Sequence, residues 1–379
     1  MCGISGIFNL NRSPVSFEVL KKMTNSIAHR GPDGEGYYTK DYIGLGHRRL
    51  SIIDISEMAK QPMVSEDKRY VLTYNGEIYN FKNIRTELKS LGYRFKSGSD
   101  SEVVLNSWIE WGENCVLKFN GMFAFSVWDE NLKTLFLVRD RYGIKPLYYS
   151  QFGDVFLFAS EQKSILQHPI VKKEIDHKAM YEYFTFQNIF TNRTLLKKIK
   201  LLDPASIAKI KVNDPQSLTI KTYWDYHFKE PKNKVNSNEY KEELDRLLKQ
   251  AVNRHLVADV ELGSYLSGGI DSGTLAALSS VKRPYIKTFT CGFDLSSASG
   301  LELSFDERQK AEAISALFKT EHYEIVLKAG DMERCLSKLT YHLEEPRVGQ
   351  SYPNYYVAQL ASKFVKVVLS GTGGDELFG

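Results

Sequence analysis

The sequence predicts two domains of different class, an α+β domain followed by an α/β domain with a parallel sheet, and three observations carry that expectation. The chain has 379 residues, 42% of them hydrophobic, whereas one domain usually takes about 100 to 200 residues. Its first part reads as short apolar runs joined by polar turns, the pattern of antiparallel hairpins. Beyond a polar stretch around Pro231 the pattern becomes strand and helix in alternation, which implies parallel strands with crossover helices. The expected boundaries are 1–225 for the first domain, 226–239 for a linker and 240–379 for the second domain.

In the first domain Phe17, Leu20, Met23 and Ile27 recur at helical spacing, and Ser99 or Asp100 can cap a second helix that Gly112 stops. "YVLTYNGEIYN" begins as a strand, "FAFSVWDENLKTLFLVRD" is two apolar runs about a polar turn from Glu130 to Lys133, and "VFLFAS" is a further strand. After the linker, Tyr240, Leu244, Leu247, Leu248 and Ala251 make an amphipathic helix. There follow a strand near Gly263 to Leu266, a helix from Ser272, the strand "IKTFTCGF", the helix "DERQKAEAISALF", the strand "YEIVL", another helix and the strand "VKVVLSG". No internal repeat or low-complexity tract interrupts this order.

Composition excludes several function classes. Net charge is only +4 and the basic residues are dispersed, which argues against nucleic acid as a partner. No stretch of about 18 apolar residues offers a membrane span, and no charged start leads into an apolar signal region. The four cysteines, Cys2, Cys115, Cys291 and Cys335, show neither a CxxC pair nor zinc-ligand spacing, so the expected setting is the reducing cytoplasm.

Chemistry concentrates in a few stretches. In "MCGISGIFNL", removal of Met1 would give Cys2 a thiol and a free α-amine on one residue, a nucleophile beside its own base. Alone, Cys2 reads more readily as a small residue near the start of an edge strand. "YLSGGIDSGTLAAL" ends a strand in a Ser-Gly-Gly turn and starts a helix at once, so Gly268, Gly269 and the first helical amides can cradle a phosphate. The loop lacks the Gly-Lys-Ser/Thr ending of a Walker loop and carries Asp271 instead, which suggests bound Mg²⁺. "LSGTGGDELFG" supplies Asp375 after a second Gly-rich turn at a strand end, the usual place for ligand loops in an open α/β sheet. "GHRRLSIID", "YNGEIYN" and "SGSDSE" offer a guanidinium, turn donors and two acidic groups, a set suited to a small zwitterion.

Taken in order, "HRGPDG", "HRRLSIID", "YNGEIYN", "GSDSE", "FNGMFAF", "RDRYGIKPLYY", "ASEQKSI", "LSGGIDS" and "LSGTGGDELFG" resemble the glutamine-hydrolysing asparagine synthetases over nearly the whole chain. The resemblance implies an αββα N-terminal-nucleophile hydrolase sandwich followed by an ATP-pyrophosphatase domain. It implies Cys2 as nucleophile, the Asn75 side chain and the Gly76 N–H as oxyanion hole, and Arg49, Leu50, Ile53, Glu77 and Asp100 as the glutamine pocket. For ATP it implies Leu266, Ser267, Gly268, Gly269, Asp271, Ser272, Cys291, Ser370 and Gly371, with Asp271 and Asp375 as Mg²⁺ ligands. Ammonia would pass through an internal tunnel to an adenylated aspartate, and the substrates would be small molecules, with a homodimer as the assembly.

Three departures accompany the resemblance. Thr372 stands where relatives usually carry an acidic residue, which leaves the base of the synthetase step and the acceptor carboxylate open. "LLDPASIAKI" replaces a common Pro-Pro-Gly turn, and relatives continue past Gly379, so an incomplete second domain is expected. The alternatives are an amidotransferase acting on a sugar acid or peptidyl acid, a plain glutaminase, and an RNA-modifying ATP-pyrophosphatase.

Overall fold

Alternating apolar strands over the first 228 residues pair into two antiparallel six-stranded sheets in this computed structural model, which describes residues 1–229, 236–296, 306–347 and 351–378. The elements are β1 (Gly3–Asn9), α1 (Phe17–Asn25), β2 (Gly34–Lys40), β3 (Ile43–Arg49), β4 (Met63–Val64), β5 (Tyr70–Ile78), α2 (Phe81–Ser90), α3 (Asp100–Trp111), β6 (Gly121–Asp129) and β7 (Thr134–Arg139). They continue with β8 (Tyr148–Phe152), β9 (Val155–Ala159), α4 (Gln162–Ile165), α5 (His177–Phe186), β10 (Lys200–Leu201), β11 (Ser206–Lys211) and β12 (Asp214–Thr222).

One sheet runs β10-β8-β9-β1-β3-β2 and the other β12-β11-β7-β6-β5-β4. Their inner faces bury Ile4 and Phe8 of β1, Leu45 of β3, Val71 of β5, Trp128 of β6 and Leu137 of β7 in one core. Phe8 meets Trp128 edge to face across the two sheets, centroids 5.2 Å apart, a geometry aromatic pairs favour. Leu20 and Met23 of α1 pack on the outer face of the first sheet with Ile7 and Leu157. On the outer face of the second sheet Trp108 of α3 stands edge-on to Phe125 and Phe136, at 6.0 and 5.1 Å. The order of layers is therefore helix, sheet, sheet, helix, as the family resemblance implies. Helix α3 forms as the sequence suggests: Ser99 accepts from Glu102 N–H as the N-cap, and Gly112 ends it in a positive-φ conformation that costs other residues strain.

The second unit, Lys229–Gly379, is built from α6 (Ser237–His255), β13 (Leu262–Tyr265), α7 (Ile270–Lys282), β14 (Lys287–Phe293), α8 (Arg308–Phe318), β15 (Glu321–Leu327), α9 (Asp331–Leu343), α10 (Ser351–Ala361), β16 (Val367–Leu369) and α11 (Gly374–Phe378). Its strands lie in the order β15-β14-β13-β16, and every pairing is parallel. Leu266 packs with Ala276 of α7 and Ala311 of α8 on one face, while Tyr265 and Phe289 pack with Val357 of α10 on the other. The chain leaves β13 toward β14 on one side and returns as β16 on the other, so the strand order reverses there. The loops after β13 and β16 therefore flank the crevice where open α/β sheets bind ligands.

One expectation needs adjustment. The helix after the Ser-Gly-Gly turn begins at Ile270 rather than Ser272, because the turn feeds directly into the first helical amides. The expected amphipathic helix forms as α6, with Tyr240, Leu244 and Leu247 of its apolar stripe 55%, 46% and 45% exposed. The helix docks instead through its last turns, where Val252 and Leu256 join Leu262, Ile286 and Leu369. The linker stretch 230–235 and Gly379 lie outside the described residues.

Trp108 is 3% exposed, and truncating a buried aromatic of this size costs about 3 to 5 kcal/mol. Trp108→Ala is expected to lower the urea midpoint of the first unit while leaving the transition of the second in place; equal midpoints for variant and parent would count against the packing described.

Candidate active sites

Cys2 stands immediately before β1, and the register of Gly3 opposite Arg48 brings it to the end of β3. There the Leu50 N–H donates to Cys2 Sγ at 3.3 Å. From below, Arg30 Nε donates to the Cys2 carbonyl at 2.9 Å, and Arg30 Nη1 pairs with Glu161 at 2.8 Å. Glu161 also takes Lys163 at 2.6 Å and His29 at 3.1 Å. Burial pushes the Glu161 carboxyl up, but these partners outweigh it and hold the group well below the usual carboxylate range. The result is a buried charged footing under Cys2. Gly31 is required in it, because a Cβ there would collide with the backbone of Arg48 and Arg49.

Strand β5 supplies the next group of side chains. Val71 lies in the core between the sheets, so by strand alternation Asn75 and Glu77 point into that layer while Tyr74 points out toward α3. Tyr74 OH and the Ile78 N–H both donate to Asp100 Oδ2, at 2.7 and 3.0 Å, at the first residue of α3. Asn75 is 1% exposed, yet neither its Nδ2 nor its Oδ1 has a hydrogen-bond partner. Buried amides are almost always paired, so this one is poised for a group outside the chain. Gly76 beside it lies against Met122 O and the Phe123 Cβ, leaving no room for a side chain. His47 of β3 bonds through Nε2 to Tyr74 O at 3.2 Å, tying the two sheets, and burial lowers its pKa to about 3.

The loop after β3 closes around Arg49. Its Nη1 donates to Ser56 O at 2.8 Å and its Nη2 to Asp54 O, which leaves further N–H groups of the five-donor fork for a carboxylate. Leu50 and Ile53, on the same loop, are half-buried. Asp33 of the "HRGPDG" stretch accepts from the Ser51 N–H at 2.8 Å and fixes the start of this loop.

The electrostatics set the chemistry. Burial raises the Cys2 thiol, with the bond from Leu50 and the neighbouring α-amine opposing it. Burial first, and the charges of Arg30 and Lys145 after it, bring the Met1 α-amine down to about 5 despite the opposing influence of Cys2. Burial, with Asp100 adding, lifts Glu77 to about 8, and burial raises Asp100 against its hydrogen bonds from Tyr74 and Ile78. Two buried carboxyls with raised pKa values, Glu77 making no hydrogen bond through its side chain among the described residues, are suited to receive a substrate cation.

In the second unit the loops after β13 and β16 line one cavity of about 610 Å³. Leu266, Ser267, Gly269, Asp271 and Ser272 line it from the first loop, and Ser370, Gly371, Thr372 and Asp375 from the second. Cys291 of β14 and Glu307 also face it. Gly268 does not: its missing Cβ leaves room for the stem of Lys310, whose Cδ would stand 2.6 Å from it. Ser272 Oγ bonds Ser267 Oγ at 2.8 Å and accepts from Ser267 N–H at 3.0 Å, which shapes the turn before α7. The first-turn amides of α7 have no helical acceptor and present donors and a positive dipole end. A Cβ on Gly371 would stand 2.9 Å from Asp271 Cβ, so the two loops touch.

Neither Asp271 nor Asp375 makes a hydrogen bond or ion pair through its side chain among the described residues, and no group of three or more potential metal-binding side chains forms among them. Two unpaired carboxylates beside amide donors fit a divalent cation that keeps phosphate oxygens and waters as its other ligands. Thr372 bonds Ser370 Oγ at 2.8 Å, so the second loop places a hydroxyl where the resemblance led to expecting a carboxylate. Sequence reasoning assigned no part to Arg30, Glu161, Lys145 or Glu307, although the first three sit inside motifs it singled out.

Residues 1–224 match the glutamine amidotransferase domain family and residues 243–379 the asparagine synthase family. Asparagine synthetase (glutamine-hydrolyzing) 1 of Bacillus subtilis (strain 168) is 38% identical over 385 residues, covering 100% of this chain and 58% of that protein. A Methanocaldococcus jannaschii relative is 36% identical over 405 residues, covering 100% of this chain and 75% of its own length. Asparagine synthetase B (glutamine-hydrolyzing) of Escherichia coli (strain K12) is 29% identical over 402 residues, and 64% of it is covered. The chain thus spans little more than half the length of the first of these relatives. By these matches the chain belongs to the glutamine-hydrolysing asparagine synthetase family, an amidotransferase domain followed by an asparagine synthase domain.

Proposed function

We propose that the chain acts as a glutamine-dependent asparagine synthetase, and the observation that carries this reading is the buried, unpartnered side-chain amide of Asn75 beside Gly76. After removal of Met1, the α-amine of Cys2 accepts the thiol proton and Sγ attacks the side-chain carbonyl carbon of glutamine. Asn75 Nδ2 and the Gly76 N–H stabilise the oxyanion, Arg49 holds the substrate carboxylate, and Glu77 and Asp100 hold its ammonium while Leu50 and Ile53 flank it. The proton passes from the amine to the departing ammonia, and water then cleaves the thioester to give glutamate.

In the second unit ATP occupies the cavity between the two Gly-rich loops. The free amides of the first turn of α7 hold its phosphates, and Leu266, Cys291, Ser370 and Gly371 border the nucleotide. Asp271 and Asp375 would hold Mg²⁺, which when bound supplies charge neutralisation for the departing pyrophosphate. The aspartate carboxylate takes up AMP with release of pyrophosphate, and ammonia displaces AMP to form asparagine. Four unpaired cysteines accord with a cytoplasmic setting, and a homodimer is the assembly proposed.

Removing one oxyanion donor typically costs 10²- to 10³-fold in kcat, roughly. Asn75→Ala is expected to lower glutaminase kcat by about that factor with little change in glutamine KM; a changed KM with intact kcat would place Asn75 in binding alone. Asp271→Asn and Asp375→Asn are each expected to abolish aspartate-dependent pyrophosphate release and to spare glutamate release, and normal pyrophosphate release from both would remove the carboxylates from the ATP site.

Glu77 gives a pH test. Its folded-state pKa of about 8 lies above the ordinary 4.5, so the folded protein keeps a proton there that the unfolded chain sheds, and stability falls as pH rises through that window. Glu77→Gln is expected to gain stability over the parent progressively from about pH 5 to 8, with a raised glutamine KM. A stability difference independent of pH would show that Glu77 titrates normally.

A further inference from the structure

Lys145 lies between β7 and β8 with its backbone pinned at both ends: Arg139 Nε donates to its carbonyl at 2.9 Å, and its own N–H donates to Asp140 Oδ2 at 3.0 Å. The residue is 4% exposed. Among the described residues its ammonium forms no ion pair, and its one hydrogen bond is to the Met1 thioether Sδ, at 2.8 Å. A thioether is a weak acceptor, and a buried cation with no carboxylate in contact is costly to a fold. A lysine kept for structure would have such a partner, as Lys163 has Glu161 at 2.6 Å. What Lys145 does have is a place beside the N-terminus, within electrostatic range of both Cys2 and the α-amine.

The geometry points to Lys145 as a positioning residue for the nucleophile: loss of Met1 removes the one hydrogen-bond partner that its ammonium has among the described residues, and its positive charge then biases Cys2 toward the free amine and the thiolate. The inference deepens the proposed glutaminase reading and rests on it. The sign follows from Coulomb's law, since a cation disfavours a second cation on the amine and favours an anion on the sulfur. The other charged groups around the N-terminus pull in both directions. Arg30, ahead of β2, acts as Lys145 does; Asp33 near it and Asp100 of α3 act in the opposite sense. Glu77 of β5 and Asp140 after β7 face Lys145 itself and support its charge, while burial and Arg30 oppose it and bring Lys145 down to about 8. The bias is therefore fully present up to about neutrality and fades as Lys145 discharges at higher pH.

The test uses the full chain with Met1 removed, verified by mass, and measures the rate of Cys2 alkylation by iodoacetamide from pH 5 to 9 without glutamine. Lys145→Met is expected to move the midpoint of that profile up by about one pH unit, whereas Lys145→Arg, which keeps the charge, stays within a few tenths of the parent. An unmoved midpoint in Lys145→Met, or an equal shift in Lys145→Arg, would overturn the assignment. If Lys145→Met does not fold, Lys145→Gln carries the same expectation. The alkylation profile needs no turnover, so a parent protein that releases no glutamate from glutamine would refute the glutaminase reading while leaving a result on Lys145 that stands or falls by itself.

Discussion

The desolvation of the chain's start is the constraint on which the first unit depends. Cys2 precedes a strand that runs through the middle of a sheet, between β9 and β3, so its backbone cannot move without breaking pairings on both sides. A thiol and an amine in that position lose most of their water, which would make both harder to ionise. The surroundings answer with oriented groups: the Leu50 N–H on the sulfur, Arg30 on the Cys2 carbonyl, and Glu161 balancing Arg30 from behind. Polar atoms left without partners inside such a site, as in Asn75, stay available to a bound group.

The second unit solves a different problem with the same economy of parts. Two loops meet where the strand order reverses, one offering amide donors at the start of a long helix and each offering a carboxylate. Donors alone would suit phosphate and carboxylates alone would repel it. Their combination is chemically coherent once a divalent cation is counted, which is why the unpaired state of Asp271 and Asp375 matters more than their number.

Features encoded locally were the legible ones. Ser99 as cap, Gly112 as stop, the hairpin turn at Glu130 to Lys133 and the Ser-Gly-Gly turn could be read because each needs only its sequence neighbours. The residues that the family resemblance named for ATP, all but Gly268, line the cavity of the second unit, whereas Thr290, Glu307 and Asn354, which also line it, were not named. What could not be read depends on distant partners: Arg30 and Glu161 are 131 positions apart, and Lys145 reaches Met1 across 144. The stripe on α6 was legible as a helix but not in what it packs against. Helical periodicity identifies an apolar face but not what covers it, and only Val252 and Leu256 at its end find neighbours in the core of the second unit.

The central claim is that Cys2 becomes the nucleophile for glutamine once it is the first residue. Treating the protein with an electrophilic diazoketone analogue of glutamine and mapping the adduct by peptide mass tests it most directly, using one sample with Met1 removed and one in which Met1 is retained. The expected result is a single adduct on Cys2 in the first sample and none in the second. An adduct on Cys115, Cys291 or Cys335, or equal labelling of Cys2 with Met1 in place, would contradict the account.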